Sequence, residues 1–170
     1  IEALPEHYYP APPVINQITL ADNCEAFCAA TRAMIQHGGN RACYIPSADI
    51  IQLPLPSAFH DVHGYYGTKL HELVHWSGAG NRLAREYGKR FGDSAYAREE
   101  LVAELGAAFL CARLGVTLET RPDHAAYLSC WISVLKEDKR AIVQAASAAS
   151  KAADYLAAFS TVATDETLAA

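Results

Sequence analysis

A chain of 170 residues with 51% apolar and 19% charged side chains can bury one hydrophobic core and lies outside the composition of a disordered segment. A net charge of −5 and a pI near 5.8 exclude a domain that grips nucleic acid through a basic surface, leaving only a local basic patch around Arg82, Arg85, Lys89 and Arg90. No apolar run is long enough to span a bilayer. The five cysteines, Cys24, Cys28, Cys43, Cys111 and Cys130, lack a Cys-x-x-Cys pair and read as small buried hydrophobes of a reducing, cytoplasmic setting.

Residues 1–14 carry Pro5, Pro10, Pro12 and Pro13, a density that forbids a helix and predicts an extended arm or linker from an upstream region. The chain opens on Ile1 rather than methionine, so it reads as a piece of a longer protein, and no leader peptide is visible in it. The domain proper is expected over 15–160. Helical periodicity runs from Asp22 to about His37 with Phe27, Ala30, Met34 and Ile35 inward, and Gly38-Gly39 supplies a stop. Arg41–Ile45 and Asp49–Leu53 read as two short strands around a turn at Pro46-Ser47-Ala48, with Pro54 and Pro56 ending the second.

Asp61 stands where it can cap a helix from about His63 to Trp76, which Ser77-Gly78-Ala79-Gly80 would end. That helix carries His71-Glu72-Leu73-Val74-His75, the spacing of a zinc-dependent hydrolase helix. Residues four apart share a helix face, so both imidazoles can address one ion. Glu72 lies about 100° round the helix from His71, close to the ion but off the ligand axis, which suits a base acting on water. Leu70, Leu73 and Val74 allow the helix to be buried, and burial would fix both rings. Three fixed positions in five also arise by chance, so downstream carboxylates have to discriminate.

The loop Asn81–Asp93 is polar and is expected to be the most mobile part after the arm. A second helix is predicted over Ser94–Leu114, stopped by Gly115. Glu100 and Glu104 share one of its faces among the apolar or small Leu101, Ala103, Leu105, Ala107 and Ala108, whereas Arg98 and Glu99 read as a solvated charge pair. Two histidines and one glutamate plus an open position form a known catalytic zinc set, and spacing allows either acid to complete it. Further helices are expected from near Asp123, carrying Tyr127 and Trp131, and from about Glu137 to Ala158, with Ile142, Ala145, Ala146 and Tyr155 inward; 161–170 is expected to fray. The predicted class is α+β, mostly helical, with one small antiparallel sheet.

The order His71 to His75, then Glu100-Leu-Val-Ala-Glu104, resembles the gluzincin arrangement. Around it stand Tyr65-Tyr66, Trp76-Ser77-Gly78, Arg82-Leu83, Arg85, Tyr96 to Glu104 and Trp131. Together these words, from about Asn23 to Phe159, resemble the zincin-like metallopeptidase domain of ArdC-type antirestriction proteins, also found in the N-terminal part of TraC-type plasmid primases. The resemblance implies a minimal zincin-like domain with Zn²⁺ held by His71, His75 and Glu100. Glu104 would be a supporting acid for a ligand imidazole; small Ala103 favours this assignment, while the Gly106-Ala107-Ala108 patch, nearer Glu104, argues for exchanging the two acids. Glu72 would be the general base, and His124, Tyr127 or Tyr44 would donate to the oxyanion, with Tyr65 and Tyr66 as further options. One of the two strands would be a shelf for an extended peptide or only a cover for the core. His7, His37, His60 and His63 are expected to be non-ligands.

What the resemblance implies for function is a zinc metallopeptidase in an antirestriction protein of a plasmid or similar element. It would act on a peptide or protein substrate, host restriction components among the candidates, with no membrane role. Single-stranded DNA would be bound only through an upstream domain absent from these residues. The competing expectation is a zinc-stabilised module that occludes a host restriction nuclease without cutting it; Glu72 argues against this, because a structural site needs no acid there.

Overall fold

The computed structural model describes residues 21–87, 94–116, 131–132, 135–136 and 138–168, with side chains of the last helix described as far as Ser160. The proline-rich arm, Lys89, Arg90, the start of the helix expected near Asp123, His124, Tyr127 and Cys130 therefore lie outside the described residues. Helix α1 (Asp22–Ala30) leads into β1 (Met34–His37), β2 (Cys43–Ile45) and β3 (Ile50–Leu53). A 3₁₀ turn at Pro56–Ala58 precedes α2 (Val62–Ser77), α3 (Ser94–Leu114) and α4 (Ala141–Leu168).

The helix expected over Asp22–His37 stops halfway. Arg32 takes a left-handed backbone (φ 58°), and the Thr31 hydroxyl bonds back to Cys28 O and accepts from Ala33 N. This closes the helix without a glycine to announce it. Residues 34–37 then form a strand, and Met34, expected inward, is 57% exposed. The hairpin β2–β3 forms as expected, antiparallel with Tyr44 opposite Ile51. The third strand, β1, pairs parallel to β3, so the sheet is mixed rather than antiparallel, in the order β1-β3-β2 with β2 at an edge.

Asp61 caps α2 by accepting from Gly64 N at 2.7 Å. From Tyr65 to Ser77 every residue of α2 is buried, so this is a central helix and not an amphipathic surface one. Its underside is anchored to α1 through Lys69, whose Nζ meets both oxygens of Glu25 at 2.8 Å over the rings of Tyr65 and Tyr66. The Tyr66 hydroxyl also donates to Glu25, and that of Tyr65 meets His37 Nε2 at 2.9 Å. Cys24, Cys28 and Cys111 are buried, and burial pushes the Cys28 thiol up to about 12, the inert state expected of a small core hydrophobe.

The main core joins Leu70, Leu73, Val74 and Trp76 of α2 to Leu101, Val102, Ala103, Ala107 and Leu110 of α3, with Ala145, Ala149, Ala152 and Leu156 of α4 behind. The expected helix start at Glu137 is delayed: Asp138 forms a turn by accepting from Arg140 N and Ala141 N, and α4 begins at Ala141. Ile142, expected inward, is 40% exposed, and the backbone stays helical through Leu168, beyond Phe159. Among the described residues no helix is long and apolar enough to cross a membrane.

The α2–α3 contact depends on Gly106. A β-carbon there would stand 2.8 Å from Val74 Cγ2, and the β-branched Val74 is fully buried and cannot step aside. Gly106→Ala is expected to lower unfolding stability by about 1–2 kcal/mol despite alanine's better helix propensity. In denaturant titrations the loss should be smaller in a Val74→Ala background; equal losses in both backgrounds would show that the contact is not limiting.

Candidate metal centre

Helix α2 turns the two histidines toward each other: His71 Nε2 and His75 Nε2 lie 3.1 Å apart. Across from them α3 presents Glu100, with Oε2 at 3.4 Å from His71 Nε2 and Oε1 at 3.7 Å from His75 Nε2. One ligand atom from each of the three residues falls within 4.8 Å of the others, and all three residues are buried. The far side of each ring also meets an acid. His75 Nδ1 is 3.1 Å from Glu99 Oε1, and His71 Nδ1 is 3.3 Å from Glu104 Oε1.

These neighbours decide the tautomers. A carboxylate only accepts, so His75 Nδ1 carries its ring's proton toward Glu99; Glu104 stands near His71 Nδ1 without hydrogen-bond geometry, but its charge favours the same tautomer there, so each Nε2 presents a lone pair. Two lone pairs 3.1 Å apart, with a carboxylate beside them, make a buried focus of negative potential that fits a cation. Two nitrogens bound to one tetrahedral zinc lie about 3.3–3.4 Å apart, close to the separation seen here. A proton is the smallest cation that can fill the gap. Burial alone would disfavour charge on the rings, but Glu100 and Glu104 raise the His71 pKa, and Glu100 and Glu99 push that of His75 up to about 10. Glu100 is held well below the usual carboxylate range by both rings, against the effect of its burial.

Glu72, on the same helix, is anchored by the edge strand: Tyr44 N donates to its Oε2 at 2.7 Å. His71, Glu72, His75, Glu99 and Glu100 open onto a cleft of about 310 Å³ roofed by Arg41, Cys43 and Tyr44 of the hairpin side and by Tyr87 and Tyr96. Tyr44 was a sequence candidate for the oxyanion donor, but its hydroxyl donates to Asp49 at 2.8 Å and accepts from Arg82 at 3.0 Å. Tyr65 and Tyr66 spend theirs on His37, Glu25 and Ala21, on the underside of α2.

One sequence expectation fails here. Glu99 is not a solvated partner of Arg98: it is 5% exposed and sits between His75 and Arg85, which donates to it from Nε at 3.0 Å and Nη2 at 2.9 Å. The signal was present, since Val102 and Ala103, three and four residues on, are buried. In the segment 78–87, which holds the described part of the loop Asn81–Asp93, both arginines of the expected basic patch are engaged, while Lys89 and Arg90 lie outside the described residues. Arg82 pairs with Asp49 and lies 3.9 Å above the Trp76 ring, and Arg85 is consumed by Glu99. The last four carbonyls of α2 are all taken up by this segment: Val74 O by Arg85, His75 O by Gly78 N and Tyr87, Trp76 O by Arg82, and Ser77 O by Leu83 N.

Residues 22–148 match the family described as zincin-like metallopeptidase (MPTase-PolyVal), and the chain belongs to that family. It is 44% identical over 147 residues to the uncharacterized protein y4eC of Sinorhizobium fredii (strain NBRC 101917 / NGR234), covering 86% of this chain and 48% of that one. It is 42% identical over 139 residues to a DNA primase TraC of Escherichia coli, covering 81% of this chain and 13% of the primase. The crystal structure of the antirestriction protein ArdC from plasmid R388 in its Mn(II)-bound form superposes with a TM-score of 0.74 at 39% identity, over 94% of this chain and 58% of that one. Its metal-free form gives 0.73. The chain thus spans about half the length of one curated relative and a small fraction of the primase.

The ring protons give a pH test. A raised imidazole pKa contributes stability that is complete below the unfolded value of 6.5 and is lost as pH rises through the folded value, about 10 for His75. The depressed Glu100 contributes above its unfolded value of 4.5 and loses that contribution only in stronger acid. In chelator, thermal melts should therefore show this cluster's support fading from about pH 6.5 towards 10. A bound ion displaces the ring proton, so metal affinity should climb over the same range. A metal affinity independent of pH would contradict this reading of the rings.

Proposed function

We propose that this chain is a metallopeptidase domain in which His71, His75 and Glu100 hold a divalent transition-metal ion and Glu72 is the general base. The observation that carries it is the convergence of the two facing Nε2 atoms and the Glu100 carboxylate beside an anchored Glu72 at the floor of an open cleft. Two imidazoles and one carboxylate suit zinc; the Mn(II)-bound ArdC structure puts manganese beside zinc as the ion to test. Glu104 and Glu99 support His71 and His75 from behind, fixing tautomer and ring angle.

A divalent ion in this place would polarise a carbonyl and lower the pKa of water. The chain's own residues supply the rest. The Tyr44 N–H holds one Glu72 oxygen, so the carboxylate has a fixed position from which to take a proton from attacking water and return it to the leaving nitrogen. The edge strand β2 offers main-chain groups along which an extended peptide can lie over the cleft. With the Tyr44 hydroxyl committed to Asp49 and Arg82, His124 and Tyr127 are the sequence candidates left for the oxyanion donor.

The relatives extend the reading to biology. ArdC is an antirestriction protein of a plasmid and TraC a DNA primase. We read this domain as working within an antirestriction protein of a mobile element, in the cytoplasm. It would cut a peptide bond in a host restriction component, with single-stranded DNA contacted by parts of the protein outside these residues.

The test is proteolysis of candidate host restriction proteins by the zinc- or manganese-loaded domain, with Glu72→Gln as the matched control. The expected result is cleavage by the native chain that falls by about 10²–10⁴-fold in the variant while metal binding is kept. Undiminished antirestriction by Glu72→Gln would instead support the occluding module.

A further inference from the structure

The centre holds four acids, Glu72, Glu99, Glu100 and Glu104, around two histidines, and one of them is over-provided for. To accept the Nδ1 proton of His75, a neutral glutamine at 99 would suffice. An acid there is a stronger acceptor and makes the opposite Nε2 a better donor, but it places another buried negative charge beside Glu100. That charge is met by Arg85, itself nearly buried, through a side-on pair of two nitrogens on two oxygens.

The same guanidinium reaches Val74 O at 2.6 Å and Ser77 Oγ at 3.0 Å, on either side of His75 in the chain. It thus ties the turn of helix that carries the histidine to the acid that orients it. The approach requires Gly78, where a β-carbon would stand 2.7 Å from Arg85 Nη2. We propose that Arg85 is a positioning residue of the metal centre, whose guanidinium holds Glu99 in the one place from which it turns His75 Nε2 toward His71 and Glu100.

This rests on the reading of His71, His75 and Glu100 as metal ligands. Without the guanidinium, the outer lone pairs of the buried Glu99 carboxylate lose the donors that satisfy them. Glu99 then shifts to recover partners and takes the imidazole with it. An amide at 99 has no charge to offset, and its carbonyl still accepts from Nδ1. Replacing Glu99 should therefore relieve the loss of Arg85, which a plain loop anchor would not allow.

The experiment compares the native chain, Arg85→Met, Arg85→Lys and the double variant Arg85→Met with Glu99→Gln. Zn(II) affinity is read by competition with a chromophoric chelator, beside far-UV circular dichroism and thermal melts in excess chelator. Arg85→Met is expected to lose about 10–100-fold in zinc affinity. The double variant should recover most of that loss, and Arg85→Lys only part, because an ammonium cannot make the side-on pair. If Arg85→Met does not fold, Arg85→Lys with and without Glu99→Gln carries the same comparison. Native affinity in Arg85→Met, or a loss that Glu99→Gln leaves untouched, would overturn the positioning role alone. A native chain that takes up no zinc would overturn the metal reading and this inference with it.

Discussion

Two imidazole lone pairs facing each other across 3.1 Å on a buried helix are an unfavourable arrangement unless a cation sits near them. Much of the domain serves to hold that arrangement. Helix α2 is buried from Tyr65 to Ser77, so packing holds its backbone and fixes where the two rings stand at the cleft floor. Helix α3 brings Glu100 to the other side of the gap and sets Glu99 and Glu104 against the far side of each ring. It can do so because Ala103 and Gly106 lie on the face against α2, and Gly106 lets the backbone close on Val74. Larger residues there would separate the acids from the rings by more than an ion–ligand distance tolerates.

The surroundings repeat the same logic at longer range. The carboxyl end of a buried helix leaves four carbonyls to be satisfied, and here the segment 78–87 satisfies all of them with Arg82, Arg85, Tyr87 and main-chain N–H groups. One of those side chains, Tyr87, also lines the cleft, and another, Arg82, holds the Tyr44 hydroxyl against Asp49 in the hairpin turn. The hairpin in turn presents Tyr44 N to Glu72. Glu72, the end of α2 that carries His75, and the edge strand β2 are thus linked through one hydrogen-bonded shell.

Legibility in the sequence followed the range of the determinants. The α2 and α3 boundaries were readable because Asp61, Gly78 and Gly115 are local signals, and His71, Glu72 and His75 because a helix fixes their spacing. The β1 strand was missed because the helix break at Arg32 comes from a left-handed residue with no glycine, and its pairing partner lies sixteen positions away at Ile50. Glu99 was missed because its partner Arg85 sits across a loop, and an Arg98-Glu99 dipeptide looks solvated when read alone. The commitment of Tyr44 to Asp49 and Arg82 was equally invisible, since it needs the hairpin and the segment after α2 to meet.

The central claim is that Glu100 completes the centre with the two histidines while Glu104 supports from behind. It is tested most directly by competing a chelator for zinc against the native chain, Glu100→Ala and Glu104→Ala. The expected result is one ion per native chain, loss of tight binding in Glu100→Ala, and only about 10–100-fold weakening in Glu104→Ala. The reverse ranking would show that ligand and supporter have been exchanged, and no zinc uptake by the native chain would contradict the centre itself.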